Sequence, residues 1–247
     1  MCGTGRPAPT ESAKLADRLS SSAVVLILFD IDGTLLMGTP RAHTEALAVA
    51  MEDVYGVPVG VAEIIAVRPA GRTDQEIARL VLRAAEVPEA RITAGLAAWM
   101  TRAAAVYPGI DADHPRPRVA PGAADALTRV AAAPVSVALL TGNLEPIAHA
   151  KMARAGLGGH FARGRGAFGS DHERRDALVP IAVAREPAPL PAVVVGDTPR
   201  DIACARAGGA RCIAVTTGSY GPAELGDADA VVPGLLAAAD VLEDWAG

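Results

Sequence analysis

The chain predicts an α/β protein with a parallel sheet and a helical segment inserted after the first strand. Three observations carry this. The run Val24–Phe29 is continuously apolar and rich in β-branched residues, as a strand buried on both faces must be. Runs of the same kind recur at Val135–Leu140, Ala192–Val195 and Cys212–Val215, each separated from the next by a helix-like stretch. Such alternation is the pattern of βαβ units. The third observation is the long gap between the first two runs, too long for a single crossover.

Val24–Phe29 leads the sheet, and Ala230–Val232 is a weaker run expected to add an edge strand. From about Leu36 to Ala120 no strand pattern appears; helical stretches occupy Arg41–Tyr55, Thr73–Ala85 and Pro88–Tyr107. The four prolines of Pro108–Pro121 suggest a return linker. The expected division is residues 1–22 as a flexible leader, 23–36 with 121–247 as the α/β core, and 37–120 as a helical cap domain with its linker.

Composition bounds the function. The 247 residues are 51% apolar and 21% charged, which suits a globular protein rather than a disordered chain. A net charge of −5 argues against nucleic acid as a partner, since a general nucleic-acid binder usually needs a basic face, though it leaves room for a local basic pocket. Val24–Phe29 is too short to span a membrane, so no membrane partner is expected. Cys2, Cys204 and Cys212 are odd in number and form no CxxC pair, which fits a reducing compartment and a cytoplasmic location.

Chemistry concentrates just past the apolar runs. Asp30-Ile-Asp32-Gly33-Thr34 follows the first of them. Two neighbouring carboxylates repel and call for a cation or a shared proton. Gly33 lets the chain turn and its backbone N–H groups face an anion, and Thr34 adds a hydroxyl. A solvated surface turn would read the same way if it stood alone. The second run ends in Thr141-Gly142-Asn143, where Thr141 could equally cap a helix. The third ends in Gly196-Asp197-Thr198-Pro199-Arg200-Asp201. There Thr198, Pro199 and Asp201 make a helix start, but capping leaves Asp197 unexplained. Three buried strands ending in such residues are far harder to reach by chance than any one motif.

Together these residues resemble the haloacid-dehalogenase-like (HAD) hydrolase superfamily. Asp30-x-Asp32-Gly33-Thr34, Thr141 and Gly196-Asp197-x-x-x-Asp201 match its first, second and fourth motifs, and the likeness runs from about Val24 to the end of the chain. Gly71-Arg72-Thr73-Asp74, Phe168-Gly-Ser-Asp-His172 and Gly218-Ser-Tyr220 resemble its phosphoglycolate-phosphatase-like branch. The resemblance implies a Rossmann-like core and a phosphatase acting on a small phosphorylated metabolite, phosphoglycolate-like or a sugar phosphate. Asp30 is then the nucleophile and Asp32 the acid and base. Mg²⁺ would be held by Asp30, the Asp32 carbonyl and Asp197, with Asp201 behind them. Thr141, with the N–H groups near Gly142 and Asn143, would hold phosphoryl oxygens. Gly33, Thr34, Arg72 and Thr73 complete the expected substrate contacts, though Thr73 could equally cap the helix that begins at Asp74.

The third motif departs from the family pattern, which places a Lys there. The region reads His172-Glu-Arg174-Arg175-Asp176, and the chain's two lysines are Lys14 and Lys151. Lys151 falls in the helix after Thr141, so an arginine must take the place. Arg175 is expected there, ahead of a helix over Ala177–Arg185, with Arg174 the alternative. His43, His114, His149 and His160 lack ligand spacing and read as structural or exposed. Among other activities, C–halogen cleavage needs neither Asp32 nor Asp197. C–P cleavage through a cap lysine is excluded because the cap has none. A phosphosugar mutase, or a non-catalytic metabolite-binding protein, is the remaining alternative.

Overall fold

The computed structural model describes residues 25–38 and 41–246; the expected leader lies outside them. The first strand, β1 (Val25–Phe29), is followed by a short β2 (Leu36–Met37) and four helices: α1 (Arg41–Tyr55), α2 (Val61–Ala66), α3 (Asp74–Ala84) and α4 (Glu89–Ala112). The chain returns through β3 (Arg118–Val119), which pairs antiparallel with β2. It then alternates α5 (Ala123–Ala131), β4 (Val135–Thr141), α6 (Glu145–Arg154), β5 (Ala167–Phe168), α7 (Leu178–Ala184), β6 (Ala192–Gly196), α8 (Pro199–Ala207) and β7 (Arg211–Val215). It ends in β8 (Ala230–Val232) and α9 (Leu235–Ala246).

Six of the strands form one parallel sheet in the order β5-β4-β1-β6-β7-β8. The continuous apolar runs are explained by burial on both faces. Ile27, Phe29, Leu139, Val195 and Ile213 pack with α5 and α9, while Leu26, Leu28, Leu140, Val194 and Ala214 pack with α7 and α8. Helices α1 to α4 build a separate apolar cluster around Leu47, Met51, Tyr55, Leu82 and Trp99, joined by Leu144 and Ile147 at α6.

The chain runs from β1 outward to β4 and β5 on one side, then from β6 outward to β7 and β8 on the other. The order therefore reverses between β1 and β6. A crevice opens at such a point beyond the carboxyl ends of the strands, and ligands bind there. Asp30 and Asp197 stand at the two lips.

One expectation needs correction. The return linker begins later than Pro108, because α4 continues through that proline to Ala112. Pro108 forfeits one intrahelical hydrogen bond. Burial of Tyr107 and the Arg154–Asp111 ion pair at 2.8 Å hold the turn on either side. The edge strand β5 was not anticipated, since two residues carry no periodicity. The helix expected over Ala177–Arg185 is α7, entered through a 3₁₀ turn at Arg175–Ala177.

Candidate active site

The carboxyl ends of β1, β4 and β6 converge on a cavity of about 430 Å³ roofed by the helical segment. Asp30 follows β1 directly and is buried; its N–H donates to the Val195 carbonyl at 2.9 Å. Asp197 follows β6 in the same way and accepts from the Thr34 hydroxyl at 3.1 Å. Glycine is required around it. Gly33 sits at φ 90°, and a Cβ there would stand 2.2 Å from Asp197 Oδ2, while one on Gly218 would stand at 1.7 Å.

Arg175 enters from the 3₁₀ turn and is almost wholly buried. Its Nη2 lies 3.1 Å from Asp30 Oδ1 and also bonds Asp201, and its Nη1 donates to the Gly71 carbonyl at 3.2 Å. Burial alone would favour a neutral guanidinium, but Asp201 and Asp30 hold it firmly charged. Arg174 points to solvent and pairs with Asp176 at 2.5 Å.

Electrostatics at the floor are unbalanced. Burial pushes the Asp30 carboxyl up to about 7 against the pull of Arg175, with Asp201 and Asp32 adding repulsion. Asp197 is pushed up to about 8 by burial and by its neighbours Asp30 and Asp201. Asp30, Asp197 and Asp201 each offer a carboxylate oxygen, all within 4.8 Å of one another. A buried, oxygen-only, electron-rich cluster fits a hard divalent cation. The fit is best for Asp30 and Asp197. Asp201 has its oxygens engaged by Arg175 and by the Thr198 N–H at 3.0 Å and hydroxyl at 2.7 Å, so it braces the helix start and Arg175.

Asp32 faces a different environment. Burial would raise its carboxyl, yet Lys151, His43 and Asn143 bring it below the usual range. Lys151 Nζ, 2% exposed as a residue, donates to both Asp32 oxygens at 2.6 and 2.9 Å and to Asn143 Oδ1 at 2.5 Å. It also lies 3.1 Å from His43 Nδ1. An ammonium only donates, so His43 Nδ1 accepts and its Nε2–H donates to Asp74 Oδ2 at 2.9 Å. Asp74 in turn accepts from the Leu144 N–H at 2.7 Å, and its own N–H donates to the Gly142 carbonyl at 2.8 Å. A continuous polar chain thus joins Asp32 to the helical roof. Replacing Lys151 by Met is expected to lower stability by on the order of 3 kcal/mol, because Asp32, Asn143 and His43 lose their shared donor in a largely buried setting. Urea unfolding of the variant measures this.

The remaining expected residues divide. Thr141 is fully buried and its hydroxyl accepts from the Asn143 amide at 2.8 Å, while Gly142 and Asn143 line the cavity. A Cβ on Gly142 would stand 1.9 Å from the Arg72 carbonyl, so the Gly71–Thr73 loop rests on it. Arg72 lines the cavity, paired with Glu76. Thr73 is not among the lining residues: its hydroxyl caps α3 through the Glu76 N–H and bonds the Glu173 carbonyl. Thr34 likewise turns its hydroxyl to Asp197 rather than to the open cavity. His43, read from sequence as structural or exposed, is buried and reaches the cavity wall. Lys151, which sequence reasoning gave no place in the site, reaches it through Asp32 and Asn143, and Thr217, Gly218 and Ser219 line the cavity. Only Gly218-Ser-Tyr220 carried a sequence signal for that loop.

The fold and this arrangement of strand-tip acids define a hydrolase of the haloacid dehalogenase type. The family's model, haloacid dehalogenase-like hydrolase, matches residues 27–206, and a HAD-hydrolase-like model matches residues 175–241. The chain belongs to the haloacid dehalogenase-like hydrolase family. No curated protein matches it in sequence. Among solved structures, CbbY of Rhodobacter sphaeroides, crystallised with phosphate, shares the fold at 22% identity and TM-score 0.61, covering 85% of this chain and 94% of its own. A predicted phosphoglycolate phosphatase of Haemophilus somnus is similar at 19% identity and TM-score 0.60, covering 88% and 96%. A predicted phosphatase of Clostridium acetobutylicum reaches TM-score 0.64 at 15% identity, covering 90% and all of its own chain. No helix among the described residues is long and apolar enough to cross a membrane.

Proposed function

We propose that this protein is a cytoplasmic, Mg²⁺-dependent phosphatase that hydrolyses a small phosphomonoester through an aspartyl-phosphate on Asp30. The observation that carries the reading is the pairing of the buried Asp30 carboxylate with the Arg175 guanidinium at 3.1 Å, on the floor of a cavity at the sheet's switch point. A phosphomonoester is the class of ligand that the fold neighbours suggest, CbbY having been crystallised with phosphate.

In this reading an Asp30 oxygen forms a bond to phosphorus while the ester P–O bond breaks. Asp32 gives its proton to the departing alcohol, then takes one from the water that attacks the phosphoaspartate, releasing phosphate and freeing Asp30. Lys151 favours the ionised form of Asp32, which is the base required for the second half, so the acid of the first half is its minor protonated form. Arg175 stays charged and orients Asp30 and the phosphoryl oxygens. The buried Thr141 hydroxyl and the N–H groups of Gly142 and Asn143 lie on the side where those oxygens would sit. Asp30 and Asp197 would hold the cation, with the Asp32 carbonyl as the third protein ligand that the resemblance implies. When bound, the cation neutralises the repulsion between carboxylate and phosphate.

The test is phosphate release from a panel of phosphomonoesters with purified protein and Mg²⁺. Chelation should abolish release and added Mg²⁺ should restore it. The same cation should raise Tm, more at about pH 8 than at about pH 5. The sign follows from the raised carboxyls. Without metal, Asp30 and Asp197 are neutral in the fold at low pH, and stability falls as pH climbs from the ordinary carboxylate value of 3.8 to their folded values of about 7 and about 8, where the loss is complete. Full turnover after exhaustive chelation, or a Tm insensitive to Mg²⁺ at high pH, contradicts the assignment.

A further inference from the structure

The wall opposite the strand tips differs from the floor. From the helical segment, Leu47, Ile64, Ile65, Pro69, Ala70 and Ile77 face the cavity, and all are apolar. The polar groups on that side are already engaged. His43 and Asp74 bond each other, and Arg72 is held by Glu76 and by the Val67 carbonyl at 3.2 Å. Arg175, on the floor, is matched to Asp30 and Asp201. Among the described residues lining the cavity, every arginine therefore already has a carboxylate partner.

Ile65 supplies a second, independent observation. It lies on α2 at the cavity wall with 56% of its surface exposed, the largest value among the exposed large apolar side chains Val49, Ile65 and Leu236. A large aliphatic surface left open beside a phosphoryl site gains most from an apolar ligand group.

We propose that the cavity selects phosphomonoesters of neutral, aliphatic alcohols, and that Ile65 determines this specificity; the proposal rests on the phosphatase reading above. The phosphoryl group is recognised on the floor and the carbon chain lies against the helical wall. A second anionic group on the leaving alcohol, as in phosphoglycolate or a bisphosphate, would meet an apolar wall and arginines that are already paired.

The experiment compares phosphate release by the Mg²⁺-loaded protein from methyl, butyl and hexyl phosphate, phosphoglycolate and p-nitrophenyl phosphate. kcat/KM should rise about four-fold per methylene over the first few carbons, the value of burying one CH₂. Phosphoglycolate should fall at least about ten-fold below an alkyl ester of its size, because its carboxylate is desolvated without a counter-ion. Ile65→Ala should lower kcat/KM for hexyl phosphate about ten-fold and for methyl phosphate less than about two-fold, since only the longer chain reaches it. Ile65→Lys should narrow or reverse the gap between phosphoglycolate and the alkyl esters. Phosphoglycolate turned over best by the unaltered protein, or an Ile65→Ala effect equal on all esters, overturns the specificity proposal while phosphatase activity stands. No release from any ester, p-nitrophenyl phosphate included, overturns the phosphatase reading and the proposal with it.

Discussion

Asp30→Asn is expected to reduce phosphomonoester turnover by about 10⁴-fold or more, since an amide oxygen cannot form the phosphoaspartate. The fold should survive. Asn is isosteric, the Asp30 N–H bond to Val195 involves only backbone, and one of several crowded carboxylates is removed. Circular dichroism and thermal unfolding separate loss of chemistry from loss of structure. Turnover within ten-fold of the unaltered protein would remove Asp30 from the nucleophile's role.

Arg175→Ala should have the next largest effect, a loss of on the order of 2–5 kcal/mol in kcat/KM, the penalty for truncating one member of a buried charge pair. The cause is specific. Asp30 already sits near neutrality with Arg175 in place, so without that cation its carboxyl is driven further towards the unreactive protonated form. Asp201 loses a partner at the same time, and Gly71 in the roof loses a donor. Arg175→Lys should recover part of the activity, since a point charge replaces the fork that bridges Asp30, Asp201 and Gly71. Arg174→Ala should behave like the unaltered protein, because Arg174 is solvent-facing and, among the described residues, forms its ion pair with Asp176 alone. Equal losses for the two alanine variants would contradict the placement.

The order of these effects reflects how the sequence can be read. Strand-tip acids are legible because three continuous apolar runs that all end in chemistry-bearing residues are hard to reach by chance; Asp30 stood out through that joint pattern, and Asp197 also because capping does not explain it. The parallel sheet followed from the same runs, which are unbroken because helices cover both faces. Hydroxyls were harder to assign. Thr34 and Thr73 lie beside the motifs, but each can satisfy a nearby group, and the fold directs one to Asp197 and the other to a helix start. Pro108 misled because tertiary packing at Tyr107 and Asp111 outweighs one lost helical bond.

The polar chain from Asp32 through Lys151 and His43 to Asp74 was invisible for a different reason. Lys151 is one lysine in a helix, and its partners lie 119 and 108 positions away. No local spacing records such a contact; only closure of the sheet and the seating of α1 beside α6 brings the groups together. The missing third-motif lysine focused attention on positive charge near Asp30, whereas the buried lysine serves Asp32 instead. The loop Thr217–Ser219 escaped for a related reason. Its backbone fits against Asp197, and small residues there leave little trace of that contact beyond the glycine itself.

The central claim is that Asp30 carries the phosphoryl group. Rapid acid quenching during turnover, followed by peptide mass spectrometry, tests it most directly. The account predicts one phosphoryl group on the peptide containing Asp30, labile to hydroxylamine as an acyl phosphate must be, and absent from Asp30→Asn. A phosphoryl group recovered on any other residue, or one that persists in Asp30→Asn, would contradict it.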